Sequence, residues 1–205
     1  FAEYYTYAKK LIQVAHTDDL PVFIIGNGLG ATIAARALYR NKIECAGFIM
    51  VSPWLHLKLE PGKLSKALSS FSAITSNVKL NHDIKYNTLT RNFEVYGEMK
   101  DETPFNTVVT VKWYRELQQL LKMLKDPEVK IPTIPVLLMT GGRDKITDIV
   151  ASKQWLVQQN LKNFQYREWT DSLNSLFFEL EREEVFLLTK DFMNNSLRSL
   201  GYIIK

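Results

Sequence analysis

Residues 26–30 read Gly26-Asn27-Gly28-Leu29-Gly30, set between an apolar run at 22–25 and the small-residue stretch Ala31-Thr32-Ile33-Ala34-Ala35. A strand that turns sharply on glycines into a helix is the setting of G-x-S-x-G, the nucleophile elbow. There a serine hydroxyl is held above the sheet to attack an acyl carbonyl. In this chain Gly28 stands at the serine position. The turn that would present a nucleophile is written into the chain without the nucleophile.

The same letters permit a second chemistry. Gly26-x-Gly28-x-x-Ala31 also satisfies G-x-G-x-x-G/A, the dinucleotide fingerprint, which likewise joins a strand to a helix. That site needs an acidic residue about 20 positions on, at the end of the next strand, to hold the ribose. The next apolar run, 46–51, ends in Ser52-Pro53-Trp54, and Glu44 lies before it, at the wrong end. Nucleotide binding is therefore the weaker alternative, beside the plain reading of a tight turn that holds no ligand.

Helices and strands must position whatever this turn does. Residues 2–15 carry Ala2, Tyr5, Ala8, Leu11, Ile12 and Ala15 at helical spacing, until Asp18-Asp19-Leu20-Pro21 breaks the pattern. Ala31, Ala34, Ala35 and Ala37 give the helix from about Leu29 to Arg40 a thin face that can approach a sheet closely. The runs at 22–25 and 46–51 are unbroken rather than alternating, as parallel strands covered on both faces require.

From 53 to about 130 the strand rhythm disappears. Leu64, Ala67, Leu68 and Phe71 predict one amphipathic helix, and residues 76–98 read as irregular. Val108, Val111, Leu117, Leu120, Leu121 and Leu124 predict a longer helix. Strand rhythm returns over 131–139, followed by the turn at 140–145, a helix over about 148–159, a more exposed strand at 164–168 and a last helix near 181–194. This alternation predicts an α/β fold, a parallel sheet flanked by helices, with its core in 1–54 and 131–205 and a helical cap insertion at 55–130.

The bulk numbers narrow the function classes. The chain has 205 residues, 46% of them hydrophobic and 23% charged, enough for one good core. A net charge of +4, with no basic run interleaved with aromatics, argues against nucleic acid. Weak attraction to an anionic lipid surface is the most it supports. The single cysteine, Cys45, precedes a predicted buried strand and reads as a small apolar side chain. No run approaches the ~18 apolar residues of a membrane span, and the lack of a signal peptide carries little weight in a chain that begins with Phe1; the expectation is a cytoplasmic location or peripheral membrane contact. No cofactor and no metal are called for.

Four segments, in order, resemble the C-terminal two-thirds of an α/β-hydrolase. The branch is that of monoacylglycerol lipases, lysophospholipases and the serine aminopeptidase (hydrolase-4) group. Gly26-Asn27-Gly28-Leu29-Gly30-Ala31 stands where this branch shows Gly-His-Ser-Met-Gly-Gly. Val51-Ser52-Pro53 is similar to the strand that leads into the cap. The run Ile134-Pro135-Val136-Leu137-Leu138-Met139-Thr140-Gly141-Gly142-Arg143-Asp144 looks like the strand ending in G-x-x-D. Asn174-Ser175-Leu176-Phe177-Phe178-Glu179 is similar to His-x-Leu-x-x-Glu.

The resemblance implies a triad at the C-terminal edge of the sheet, in chain order Ser, Asp, His. The serine attacks, the imidazole takes its proton, and the carboxylate fixes the imidazole. Only the acid, Asp144, survives. Gly28 has no side chain to attack with, and Asn174, at the base position, carries an amide that is no general base. Of His16, His56 and His82, only His56 falls near the expected mouth and offers a substitute base, while Ser52 reads as a turn cap. The backbone N–H of Leu29 is the expected oxyanion donor. Asn27, Ser52, Trp54, His56, Phe71 and Trp113 are expected around the substrate, with Leu64, Leu68, Leu117 and Leu121 divided between an acyl pocket and plain packing.

The expectation is a hydrolase homologue inactive as written that retains binding of a lipid, another acyl-ester-like molecule or a protein partner. The alternative is an active lipid-ester hydrolase completed by other residues. The family's early strands have no counterpart here, so a preceding segment or another chain is expected to cover the edge strand at 22–25, which would otherwise be an aggregation hazard.

Overall fold

The two most apolar runs of the chain form the middle of the sheet. The computed structural model describes residues 1–41, 43–58, 77–82, 84–95, 97 and 107–204. In it β2 (Gly47–Val51) and β5 (Val136–Gly141) are buried at every position and pair in parallel, with Val51 opposite Met139. Flanking them in parallel are β1 (Phe23–Asn27), paired to β2, and β6 (Phe164–Trp169), paired to β5, giving the order β1-β2-β5-β6. The exposed alternation of β6 matches the strand expected at 164–168. β1 is the other edge, and Ile25 on it is half exposed.

Side chains of a strand alternate between its two faces, and here the alternation divides the core in two. Phe48 and Met50 of β2, with Val136 and Leu138 of β5, pack toward Ala31, Ala35 and Leu38 of the helix α2 (Leu29–Asn41). Ile49, Val51, Leu137 and Met139 face the other way, onto Trp169, Leu176 and Phe192. Each large side chain removed from water contributes roughly 1.5–3 kcal/mol. The unbroken apolar runs thus follow from helices covering both faces of the sheet.

The first helix, α1 (Ala2–Ala15), has the predicted extent. The others are α3 (Tyr86–Leu89), α4 (Val111–Leu124), α5 (Ile149–Gln158) and α6 (Arg182–Ser199). Asp148 caps α5, accepting from the backbone N–H groups of Val150 and Ala151. The indole of Trp155 donates to the Leu124 carbonyl at 3.0 Å and ties α5 to α4. No helix among the described residues is long and apolar enough to cross a membrane. Burial pushes the Cys45 thiol up to about 11, which keeps it protonated.

Three expectations change. Val108 is not helical: Val108–Thr110 forms β4, antiparallel to β3 (Lys79–Asn81), and Thr110 then caps α4 by accepting from the Trp113 N–H. Two three-residue strands are too short to show a period, so the segment read as free of strands holds a small ribbon. The strand expected from 131 begins only at Val136, since Pro132 and Pro135 cannot donate to a ladder. Leu117 and Leu121 are buried on α4 beside Leu120 and Leu124, the packing alternative rather than a pocket lining. The helix expected at Leu64–Phe71, with Phe71 itself, lies outside the described residues.

Candidate functional site

The elbow is present in full geometry. β1 ends at Asn27, α2 begins at Leu29, and Gly28 between them has φ +55°, a left-handed conformation that side chains beyond glycine disfavour. Its N–H donates to the Val51 carbonyl at 2.9 Å, and its carbonyl accepts from the Trp54 N–H at 3.3 Å. The buried Thr32 hydroxyl lies 3.3 Å from that carbonyl and 3.0 Å from the carbonyl of Trp54. The turn is thus fastened to the end of β2. A Cβ placed on Gly28 would sit 3.1 Å from Nε1 of Trp54. The edge of the indole thus lies against the place a side chain at position 28 would occupy. Leu29 opens α2, so its backbone N–H is one of the helix's unpaired first-turn donors.

Asp144 follows β5 by three residues and is almost wholly buried. Oδ1 accepts from the backbone N–H groups of Ile146 at 2.7 Å and Thr147 at 3.0 Å, and Oδ2 accepts from the Thr147 hydroxyl at 2.5 Å. The last partner is Asn174, whose Nδ2 donates to Oδ2 at 2.9 Å. The residues expected at the acid and base positions, Asp144 and Asn174, therefore meet.

The meeting depends on Gly141. A Cβ there would lie 1.9 Å from the Leu173 carbonyl oxygen, so only a bare backbone lets the 172–175 loop cross the end of β5. The Arg143 N–H donates to the Ser172 carbonyl at 3.0 Å and completes the crossing.

A second set of contacts holds this loop from outside, and sequence reasoning missed most of it. Glu179 is fully buried and accepts from the Leu173 N–H at 2.7 Å and from both the N–H and the Nε of Arg91 at 3.2 Å. Arg91 also donates to Glu181 at 2.6 Å, and Ser172 donates to Glu181 at 2.9 Å. The Ser175 N–H donates to the Leu89 carbonyl, and the Thr90 hydroxyl to that of Phe178. Desolvation pushes the Glu181 carboxyl up, but the bonds from Arg91 and Ser172 outweigh it, and the group titrates below its usual value. Glu179 was legible as the end of a motif and Thr147 as a turn donor three residues after an aspartate. Nothing local in the sequence marks Arg91.

Other predicted site residues fall elsewhere. His56 makes no hydrogen bond to Asp144 or Asn174. Its Nδ1 lies 3.3 Å from Oδ2 of Asp148, because the 56–58 segment pairs with 146–148. The backbone N–H groups of Ala151 and Val150, with His56, hold the Asp148 carboxyl below its usual range. Trp113 packs on Phe1, with ring centroids 5.4 Å apart, and its indole meets the Tyr4 hydroxyl. It belongs to the α1–α4 contact rather than to a substrate site.

Ser52 is no cap. It is fully buried at φ +42°, and its hydroxyl has no hydrogen-bond partner among the described residues. Asn27 remains exposed at the end of β1.

Among the described residues, Gly28, Asp144 and Asn174 bring one carboxylate, one amide and no hydroxyl to the expected positions. A serine nucleophile needs an adjacent base, and the group beside Asp144 is an amide. Ser52, the hydroxyl next in line, has no base hydrogen-bonded to it. Among the described residues no group of three or more His, Cys, Asp or Glu side chains converges to hold a metal.

Comparison with known proteins agrees with this frame. The family model described as serine aminopeptidase, S33 (Hydrolase_4) matches residues 1–181. Phospholipase YtpA of Bacillus subtilis (strain 168) is 30% identical over 194 residues, covering 94% of this chain and 75% of that protein. Monoglyceride lipase of Rattus norvegicus is 24% identical over 156 residues, covering 72% of this chain and 50% of that protein. Among solved structures, a soluble variant of monoglyceride lipase from Saccharomyces cerevisiae in complex with a substrate analog superposes with a TM-score of 0.82. At 15% identity, over 96% of this chain and 68% of that one, it shows a shared fold.

Proposed function

The chain belongs to the serine aminopeptidase, S33 family of α/β-hydrolases, and from that membership we propose that it binds a lipid or similar acyl ester without hydrolysing it. The pairing of Asn174 with Asp144 carries the reading. Had the site decayed freely, the buried carboxylate would have lost its partner. Instead the frame is kept while both reacting side chains are gone. With Nδ2 committed to Asp144, Asn174 offers its carbonyl oxygen, which accepts a hydrogen bond but takes no proton near neutral pH.

On this reading Gly28, Asp144 and Asn174 mark the nucleophile, acid and base positions, and residues 55–130 form a cap over the site. An ester carbonyl is then held by the Leu29 backbone N–H and the Trp54 indole N–H, the first from the opening turn of α2 and the second from the side chain nearest position 28. Asn27 and Ser52 border it. The relatives named for phospholipase and monoglyceride lipase activities support the ligand class.

Three measurements test the proposal. Fluorophosphonate labelling and turnover of monoacylglycerol and lysophospholipid substrates are expected to be absent. Either one overturns inactivity, and a label on Ser52 would identify the active alternative. Saturable quenching of tryptophan fluorescence by monoacylglycerol is expected and should be reduced in Trp54→Phe. No binding of either lipid removes the ligand half of the proposal.

A further inference from the structure

Asn174 sits in a loop whose neighbouring residues are all tied to one short segment. The Ser172 hydroxyl donates to Glu181 at 2.9 Å, the Leu173 N–H donates to Glu179 at 2.7 Å, and the Ser175 N–H donates to the Leu89 carbonyl at 2.8 Å. Both carboxylates are bound in turn by Arg91. Its backbone N–H and its Nε reach Glu179 at 3.2 Å, and a terminal guanidinium nitrogen reaches Glu181 at 2.6 Å. Leu89 closes α3 and Arg91 lies just beyond it, so residues 172, 173 and 175 all hang from 89–91.

Arg91 is the centre of that attachment. Glu179 is fully buried, and Arg91 is the one cation paired with it among the described residues. A buried carboxylate that loses its cation is strongly disfavoured where it stands, and Glu179 regains hydration by turning away from the Leu173 N–H. The loss of Arg91 is thus passed through Glu179 to Leu173, and from there to Asn174, the next residue. Packing does not duplicate the tie. A cleft of about 330 Å³ is lined by residues 87, 90, 91 and 93 together with Arg143, Lys145 and Leu173, so beside the knot the contact between the two segments is interrupted and polar bonds carry it.

We propose that Arg91 is a positioning residue: through Glu179 and Glu181 it holds Asn174 in hydrogen-bonding place against Asp144, so that 86–92 and the 172–175 loop shift as one unit. The contact it maintains is the 2.9 Å bond from Asn174 Nδ2 to Asp144. A guanidinium suits the role because its planar fork serves two carboxylates at once, which a single ammonium on a lysine stem does less well. Residues 86–92 fall within the stretch expected to form a cap, so a displacement there reaches Asn174 without touching it. The consequence for ligand binding rests on the ester-binding reading of the site, whereas the coupling itself is read without ligand.

Hydrogen exchange followed by NMR at the Asn174 side-chain amide and the Leu173 N–H tests the coupling. In Arg91→Gln exchange at both is expected to quicken at least tenfold, while Leu138 in the middle of β5 stays within twofold. Arg91→Lys should fall between the parent and Arg91→Gln. Arg182→Gln removes a guanidinium that pairs with Glu183 outside the knot and should stay within twofold at all three positions. Thermal melts accompany each variant, and if Arg91→Gln melts early, Arg91→Lys decides. Unchanged exchange at Leu173 and Asn174, or equal quickening at Leu138, overturns the positioning role. Monoacylglycerol affinity is expected to fall at least fivefold in Arg91→Gln, and undiminished affinity overturns the link from Arg91 to the ligand. Absence of monoacylglycerol binding by the parent overturns the ester-binding reading instead, and the exchange rates still decide the coupling.

Discussion

Asn174 donates its side-chain amide to the buried carboxylate of Asp144 across 2.9 Å, joining residues 30 positions apart. On the function proposed above, the bond stands for the one a triad imidazole makes to its acid, made by a group that cannot relay a proton. Removing it leaves Asp144 with its three nearer donors and one lone pair unsatisfied. Asn174→Ala should therefore cost about 1–3 kcal/mol in urea unfolding. Asn174→His restores a donor and should fall within about 1 kcal/mol of the parent. A neutral Asn174→Ala would mean that the contact does not hold the loop.

The triad should be rebuilt only by two changes together. Gly28→Ser places a Cβ 3.1 Å from the Trp54 indole at φ +55°, a cost of about 1 kcal/mol in the left-handed region. Gly28→Ser or Asn174→His alone should give no fluorophosphonate label. The pair should give measurable labelling and slow hydrolysis of p-nitrophenyl esters. Labelling by Gly28→Ser alone would show that another base reaches the elbow.

The crossing at Gly141 should tolerate no side chain. With a Cβ 1.9 Å from the Leu173 carbonyl oxygen, Gly141→Ala must displace the 172–175 loop. We expect a loss of more than about 3 kcal/mol, or faster hydrogen exchange confined to residues 172–179 if the loop lifts instead. Unchanged stability with unchanged exchange would refute the close approach.

The Arg91–Glu181 contact should register in the pH dependence of stability. The Glu181 carboxyl titrates below the usual carboxylate value in the fold, where the bonds from Arg91 and Ser172 outweigh its desolvation. Its contribution is therefore fully present above that value and is lost as pH falls through the lower folded value. Glu181 is partly exposed, so the contact is worth about 1 kcal/mol or less. Melting curves of the parent and Glu181→Gln should differ at pH 7 and converge as pH falls through the lowered folded value. A gap that persists in acid would assign the effect to packing.

The unpartnered Ser52 hydroxyl leads to a prediction of opposite sign. A buried hydroxyl without a hydrogen bond is unfavourable, so Ser52→Ala should leave stability unchanged or raise it by up to about 1 kcal/mol. A loss larger than that would reveal a partner for the hydroxyl.

The elements around the site were legible because each rests on a local pattern. The runs that became β2 and β5 are apolar at every position since both faces are covered. α1 and α2 declared themselves by spacing and by alanine. Gly28 marked the elbow because a strand, a left-handed turn and a helix require small residues there. The antiparallel ribbon at 79–81 and 108–110 escaped because three residues show no period.

The sequence by itself determined the parallel sheet, the glycine turn between β1 and α2, and the residue types, Gly28 and Asn174, at the positions where a serine and a histidine were expected. These are properties of residue type and near neighbours, set by backbone sterics and burial periodicity. Only the tertiary structure decided which side chains meet. It joined Asn174 to Asp144, turned His56 to Asp148, buried Ser52 without a hydrogen-bond partner among the described residues and set Arg91 against Glu179, 88 residues away. Such contacts depend on where loops cross a sheet edge and on which backbone is bare enough to let them pass.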